Sequence, residues 1–544
     1  MEINTVDEGL LARCGNGKAI NRDNIETIIR DNADTEFGRK YGFSDIRSID
    51  EYRARVPLSE YKDHEAFIKR MRAGEKNILT AYPVVSYCLS SGSMGQAKRL
   101  PVTTMTLEKH SECYEKYRNS TLNGKKGKRL MTNSFRTDLS KPIEQELLFT
   151  EIYYRTLYEK GLIDPDIHIG GKTVMFITHN EDTIYAKLWE ALLTEDVLSF
   201  ESVFLYEQLL LLNRLEENWR DIIAAIRSHT IPAEINLSPE LREYLLSLDV
   251  SAERLDYVER ECGKGFDGIV RRLWKNIVFL SGIGNKHYLT EAASMKRYAP
   301  DVPRHHFIYG SSECHIGCPV RLDGFDYVLI PELAFFEFIP DGDERNGTKL
   351  PHEVEVGKEY EPVFTNFSGL YRYRIGDIVR ITGFIGESPV MEVLYRKGNV
   401  ISIANEKYNN TQLENAVFGL RRSGINIEDY CFGASLETVP GRYAVVMQLA
   451  STEGVDVKQL TELTDKSLRE CNIDYDDLRN LGQISYPNVM ICDAEGYADF
   501  AVKSGLCHVS GHNKAKHIFK GDVKEKEWKL ILEQHQQNAT ASKG

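Results

Sequence analysis

Three short runs in this chain carry side chains suited to handling a nucleotide. The first is Ser90-Ser91-Gly92-Ser93-Met94-Gly95-Gln96-Ala97-Lys98, a loop of small and hydroxyl-bearing residues that ends in a lysine. Small residues let backbone N–H groups approach phosphate oxygens, and serine hydroxyls add further donors. The preceding Pro83-Val84-Val85-Ser86-Tyr87-Cys88-Leu89 predicts a buried strand, so the loop hangs from a rigid edge. A Walker A loop is excluded, because Gly-x-x-x-x-Gly-Lys-Ser/Thr would set the lysine at a different place. Ser90, Ser91, Gly92, Ser93 and Lys98 are the candidate phosphate contacts.

The second run, Tyr309-Gly310-Ser311-Ser312-Glu313, follows the predicted strand Arg304-His305-His306-Phe307-Ile308. Tyr309 can offer a ring face to adenine, Gly310 lets the backbone approach, and Ser311 and Ser312 can bond phosphate. Glu313 can hold Mg²⁺ through a carboxylate oxygen. In the third run, Tyr373-Arg374-Ile375-Gly376-Asp377, the carboxylate of Asp377 can accept both ribose hydroxyls. Each run alone also fits an ordinary turn. Their order, from Ser90 to Asp377, predicts one pocket for ATP.

The elements that must position these runs belong to a chain of 544 residues, long enough for two or three domains. Hydrophobic residues make up 42% and charged residues 27%, the balance of a globular protein with a buried core. A net charge of -13 argues against a nucleic-acid scaffold, which needs a basic surface. No apolar run reaches membrane-spanning length, and Met1-Glu2-Ile3-Asn4 lacks the basic start of a leader, so no membrane partner and a cytoplasmic location are expected. The ten cysteines lack zinc-site or disulfide spacing. Cys314-His315-Ile316-Gly317-Cys318 beside the second run reads as packing thiols.

The first eighty residues predict helices, with Ile25, Ile28 and Ile29 facing a core and Ser59 capping a helix start. Residues 145–160 and 183–228 also read as helical, the latter through Leu188, Leu192, Leu198, Phe204, Leu209, Leu212 and Leu215. From 274 onward short strands take over: Ile277–Leu280, Phe307–Tyr309, Tyr327–Ile330, Phe335–Ile339, Tyr360–Val379 and Val390–Leu394. The expected class is α/β with mixed α+β character. Arg396-Lys397-Gly398-Asn399 predicts a boundary between a large domain, 1–395, and a small α+β lobe, 396–544. Within that lobe a helix is expected at Gln412–Leu420, a strand at Tyr443–Met447, a helix at Val457–Cys471 and a strand at Val489–Ile491.

These runs closely resemble the auxin-responsive acyl-acid amido synthetases of plants and their bacterial relatives, the GH-three family of adenylate-forming enzymes. The likeness extends to Asp34-Thr35-Glu36-Phe37-Gly38-Arg39-Lys40-Tyr41-Gly42-Phe43, to Tyr52-Arg53-Ala54-Arg55-Val56-Pro57-Leu58, and to Leu370-Tyr371-Arg372-Tyr373-Arg374-Ile375-Gly376-Asp377-Ile378-Val379. Arg396, Asn399 and Asn405-Glu406-Lys407 resemble the family's hinge. The resemblance implies a large adenylate-forming domain and a mobile C-terminal domain, with ATP and Mg²⁺ bound between them and Arg396 among the ATP contacts. It implies adenylation of a carboxylic acid, followed by transfer of the acyl group to the amine of an amino acid. Lys514 resembles the family's C-terminal lysine, the catalytic cation of the first step. Two departures stand out. Met94 replaces a hydroxyl residue, and Lys516-His517 replaces the family's proline and arginine, which leaves open whether Lys514 or Lys516 meets the phosphate.

Two other readings share this pocket. A thioester ligase for CoA or a carrier protein would use the same first step, and a binding protein for ATP and an acyl metabolite would keep the pocket without turnover. The acyl pocket is expected to be apolar, lined from the helices around 185–215 and by Phe335 and Phe336. Nothing in the sequence names the acid or the amino acid, or sets an oligomeric state.

Overall fold

The computed structural model describes residues 8–89, 98–111, 122, 125–143, 147–283, 295–341, 347–396, 400–401, 403, 406, 408–480, 482–506 and 517–541. They form two compact units, one ending at Leu394 and one beginning at Tyr395. The fold mixes helices with parallel and antiparallel strands.

The larger unit begins with the helices Gly17–Asp31, Glu36–Tyr41, Ile49–Arg55 and Tyr61–Arg72. Ile25, Ile28, Phe37, Tyr52 and Ile68 are buried around Tyr371 and Phe335. The Thr35 hydroxyl accepts from the Gly38 N–H, and the Ser48 hydroxyl from the Glu51 N–H, so both helix starts are capped. Ser59 does not cap the next helix. Glu60 does, with Asp63 returning a bond to its N–H. The Ser59 hydroxyl instead donates to the Tyr371 carbonyl at 2.7 Å and meets His64 Nε2 at 2.8 Å. A buried long-range bond outweighed the local capping preference.

A four-stranded parallel sheet follows, in the order Lys128–Met131, Val197–Phe204, Phe279–Ile283, Arg304–His305. The helical reading of 183–228 is wrong in its middle: a helix at Thr183–Leu193 and another at Leu205–Ser228 flank the strand Val197–Phe204. Strands of a covered parallel sheet bury both faces, so Leu198 and Phe204 could be counted into a helical stripe. Leu130, Phe200 and Leu280 face the two helices in one core with Trp189, Leu211 and Leu215. The opposite face carries Met131, Glu201, Ser281 and His305, neighbours in register across the four strands.

The larger unit also holds a three-stranded sheet of Arg99–Thr103, Val84–Leu89 and Leu147–Leu148, beside an eight-stranded one. Its path runs Tyr309–Gly310, His315–Pro319, Asp326–Leu329, Ser388–Arg396, Asp377–Ile385, Glu359–Thr365, Phe335–Pro340, with Tyr373–Arg374 paired onto Glu359–Thr365. The smaller unit is a sheet in the order Asn488–Cys492, Arg442–Leu449, Ile427–Ser435, Ile518–Asp522. Its alternate residues enter two cores, one with the helices Asn410–Arg422 and Val457–Cys471, the other with Ala494–Lys503 and Glu525–Ala541. No described helix is long and apolar enough to cross a membrane.

Glu337 is fully buried in the larger unit. Its carboxylate accepts from Arg372 Nε at 3.0 Å, Arg372 Nη2 at 3.1 Å and Arg53 Nε at 3.0 Å. A buried charge is tolerated only when paired, and losing one partner strands the others. Glu337→Leu is expected to lower the unfolding free energy by about 3–5 kcal/mol, read from urea denaturation followed by tryptophan emission. A loss under ~1 kcal/mol would put this pair in the class of surface bridges.

Candidate functional site

The second and third runs meet in the larger unit. Tyr309–Gly310 pairs with His315–Pro319 across a turn that the Ser311 N–H closes onto the Cys314 carbonyl at 2.9 Å. A Cβ on Gly310 would lie 2.7 Å from the His315 Cα, so the hairpin requires glycine there. The Ser311 hydroxyl accepts from the Glu313 N–H at 3.3 Å, Asn366 Nδ2 donates to the Glu313 carbonyl at 2.8 Å, and the Ser312 carbonyl faces the Cys88 thiol. The turn therefore aims the Glu313 carboxylate along a defined direction.

Lys98 and Glu313 are paired with each other. Lys98 Nζ lies 3.0 Å from Glu313 Oε1 and 3.0 Å from the Tyr373 hydroxyl, which in turn donates to Glu313 Oε1 at 3.1 Å. Tyr373 had no role in the sequence beyond membership of its run, and it closes this triad. The strand carrying it is held on both edges. Phe364 pairs with Tyr373 on one side, and on the other the Ser59 backbone exchanges bonds with Arg372 and Arg374. Gly376, at φ +79, then turns the chain so that Asp377 reaches the Tyr309 hydroxyl, which donates to Oδ2 at 3.2 Å. Tyr309 and Asp377 are both buried. Ser90, Ser91, Gly92, Ser93 and Lys514 lie outside the described residues, as does the side chain of Arg396.

An apolar pocket opens near this cluster, between the parallel sheet and the helix Phe149–Glu159. Phe149, Thr150, Tyr153 and Tyr154 present one helix face to it, at helical spacing. Met131, Phe135, Val203, Ile283, Phe307 and Ile308 complete the apolar wall, with Asn133, Glu201, Ser202, Ser281 and His315 as its polar groups. His315 opens the strand that follows the Glu313 turn, so the pocket wall and that carboxylate belong to one hairpin. Phe335 and Phe336 do not line this pocket. Phe335 packs against the N-terminal helices and Phe336 in the core of the larger sheet, both fully buried. The helical residues of 185–215 likewise fill the core on the far face of the parallel sheet, and only the strand between them reaches the pocket.

Lys187 supports the pocket from behind. It is buried in the apolar helix Thr183–Leu193, and its Nζ donates to the Thr132 carbonyl and the Ser134 hydroxyl, both at 2.7 Å. These bonds fix the turn that carries Asn133, whose Oδ1 accepts from the Val203 N–H at 2.6 Å. Burial pushes the Lys187 pKa down to about 7. A lysine at the centre of Ala186-Lys187-Leu188-Trp189 was the available signal, and hydrophobic periodicity passed over it.

The histidines here are neutral. His110 and His315 stack at 4.5 Å, with the Phe149 ring edge-on to His315. Burial holds His315 down to about 4 and His305 to about 3, and burial together with the neighbouring His315 lowers His110. Cys314 and Cys318 are buried packing thiols, as expected, and burial raises the pKa of Cys314. Among the described residues no group of three or more His, Cys, Asp or Glu is placed to hold a metal.

The chain matches the GH3 family N-terminal domain over residues 8–304, the GH3 family central domain over 327–396 and the GH3 family C-terminal domain over 411–520. It is 28% identical over 462 residues to the probable indole-3-acetic acid-amido synthetase GH3.2 of Oryza sativa subsp. japonica, covering 79% of this chain and 75% of that one. It is 28% identical over 498 residues to the 4-substituted benzoates-glutamate ligase GH3.12 of Arabidopsis thaliana, covering 86% and 85%. The solved structure of the AtGH3.15 acyl acid amido synthetase in complex with 2,4-DB superposes with a TM-score of 0.81 over 96% of this chain and 95% of that one. At 23% identity that likeness shows the fold.

The neutral histidines set a pH dependence. In the unfolded chain they take up protons near 6.5, whereas folded His315 stays neutral down to about 4. Between these values the unfolded state binds more protons, so stability is complete above 6.5 and falls as the pH is lowered toward 4. His315→Gln is expected to flatten that slope in urea denaturation series run across this window, and an unchanged slope would contradict the buried neutral form.

Proposed function

The chain belongs to the GH3 family, and we propose that it is an ATP-dependent acyl-acid amido synthetase. The observation that carries this reading is the convergence of Lys98, Glu313 and Tyr373 on one point, with Tyr309 and Asp377 on the same elements and an apolar pocket sharing the hairpin of Glu313. A phosphate-binding cation, a carboxylate and an apolar slot are what adenylation of a hydrophobic acid requires.

In the first step a carboxylate oxygen of the acid attacks the α-phosphorus of ATP and pyrophosphate leaves. Negative charge grows on the phosphate oxygens, so fixed cations and N–H donors lower the barrier. Lys98, Ser90, Ser91, Gly92, Ser93, Ser311 and Ser312 would serve the phosphates, Tyr309 and Gly310 the adenine, Asp377 the ribose, and Arg396 a further ATP contact. Lys514 would be the cation at the α-phosphate. In the second step the amine of an amino acid attacks the acyl carbon, AMP leaves, and the amine proton is released. The names of the relatives, probable indole-3-acetic acid-amido synthetase and 4-substituted benzoates-glutamate ligase, support this pairing of an acid with an amino acid.

Glu313 fits as a protein ligand for Mg²⁺. That ion keeps several waters and binds through substrate phosphates plus one or two carboxylates, so it needs no cage of protein ligands. When bound it would offset charge on the departing pyrophosphate. Residues 1–395 would form the adenylating domain and 396–544 the C-terminal domain, in a cytoplasmic enzyme.

Mass spectrometry of the purified protein with ATP, Mg²⁺, mixed carboxylic acids and pooled amino acids tests the reading, with CoA in a parallel arm. An acyl–amino acid formed together with AMP is expected; a thioester alone, or no AMP in either arm, would overturn it. Lys514→Ala is expected to slow adenylation about a hundredfold while sparing amide formation from supplied acyl-AMP, and equal losses in both half-reactions would remove its role. Asp377→Ala is expected to raise the KM for ATP at least tenfold, about 1.4 kcal/mol of lost binding, in steady-state kinetics; an unchanged KM would free Asp377 from the ribose.

A further inference from the structure

We propose that Lys187 is a positioning residue for the acyl acid, holding one wall of the aromatic pocket from a place where it touches no substrate. The inference rests on that pocket being the acyl site of the proposed reaction. Lys187 is 1% exposed and stands between Ala186 and Leu188, two members of an apolar core. Burial pushes its pKa down to about 7, and an apolar side chain of similar length would sit there at less cost. What the ammonium supplies is a hold on residues 132–134, which link the strands Lys128–Met131 and Phe135–Arg136. Buried carbonyls in such a link still need donors. Lys187 Nζ donates to the Thr132 carbonyl and to the Ser134 hydroxyl, both at 2.7 Å.

Alternate residues of this stretch serve its two sides. Met131, Asn133 and Phe135 line the pocket, while the Thr132 carbonyl and the Ser134 hydroxyl meet Lys187. The lining residues are in turn tied to the other walls. Met131 pairs with Glu201 in register, and the Thr132 N–H donates to the Glu201 carbonyl at 2.8 Å. Asn133 Oδ1 accepts from the Val203 N–H at 2.6 Å, and a backbone N–H can only donate, so the orientation of this amide is set. The Phe135 ring stacks on Tyr154, with centroids 4.2 Å apart. Glu201, Val203 and Tyr154 line the pocket as well. The two bonds of Lys187 therefore fix the place where three segments of the pocket meet. Misplacement by about 1 Å is enough to loosen a fitted ligand. Tyr373 and Glu313 are held by other means, through the strand Glu359–Thr365, Ser59 and Asn366. Releasing the wall should thus act on the acid and spare the nucleotide.

Titration calorimetry of the full chain tests this without turnover. The probes are α,β-methylene-ATP alone and, in its presence, benzoate, phenylacetate, phenylpropanoate, phenylbutanoate and octanoate. Lys187→Met keeps the apolar stem and removes the ammonium. It is expected to weaken the tightest acid about tenfold, the loss of roughly one hydrogen bond, and to leave the nucleotide within about twofold. Asn133→Ala is expected to cost the acid as much, and the double variant no more than Asn133→Ala alone, because both act through one turn. Additive losses of about a hundredfold overturn the proposal. So does a variant that weakens acid and nucleotide alike, or an acid affinity that Lys187→Met leaves unchanged. If Lys187→Met does not fold, Ser134→Ala removes one of the two bonds and is expected to weaken the acid about threefold; no change there overturns the proposal as well. A wild type that binds none of the acids does the same. Pyrophosphate release from these acids separates the two claims. Release that Lys187→Met leaves untouched removes the positioning role and keeps the synthetase, while acid binding that depends on Lys187 without any release does the reverse.

Discussion

The buried carboxylate of Glu337 is the interaction on which the site depends. It draws Arg372 inward, and the same guanidinium donates to the Val56 and Arg53 carbonyls at 2.8 and 3.0 Å. Arg372 is held at φ +44, an uncommon conformation for a side chain with a Cβ, and the Thr365 hydroxyl accepts its N–H at 2.9 Å. Such a backbone persists only where the surroundings over-determine it. Here the N-terminal helices, the strand Phe335–Pro340 and the strand Glu359–Thr365 all converge on one residue. The next residue is Tyr373, delivered to Lys98 and Glu313.

The polar groups around the aromatic pocket follow the same logic. Buried Lys187 would cost stability if left without partners. Its bonds to the Thr132 carbonyl and the Ser134 hydroxyl instead hold the turn that carries Asn133. Stability is exchanged for geometry, which a two-step acyl transfer needs more than it needs a larger apolar core.

Part of this was legible in the sequence, because tight turns and short β-forming runs leave local marks. Gly310 and Gly376 mark places where only glycine fits, and the strands Asp326–Leu329 and Phe335–Pro340 lie where the short β-like runs between turns put them. The strand Val197–Phe204 was hidden, since burial on both faces erases the alternation that would reveal it. Ser59 was misread as a cap because its partners, His64 and Tyr371, are chosen by tertiary packing. The aromatic pocket was hidden for a related reason. Its lining comes from segments spread between Met131 and His315, brought together by strand order rather than by any local pattern. Tyr373 had its neighbours in the run but its hydroxyl acquires meaning only beside Lys98 and Glu313.

Adenylation is tested most directly by tracing the carboxylate oxygens. An accepted acid labelled with ¹⁸O at both carboxylate oxygens is incubated with ATP, Mg²⁺ and an amino acid, and the products are weighed. Attack of the carboxylate on the α-phosphorus leaves one label in AMP and the other in the amide. Unlabelled AMP beside a doubly retained acid, or label in orthophosphate with ADP as the co-product, would contradict acyl-adenylate formation.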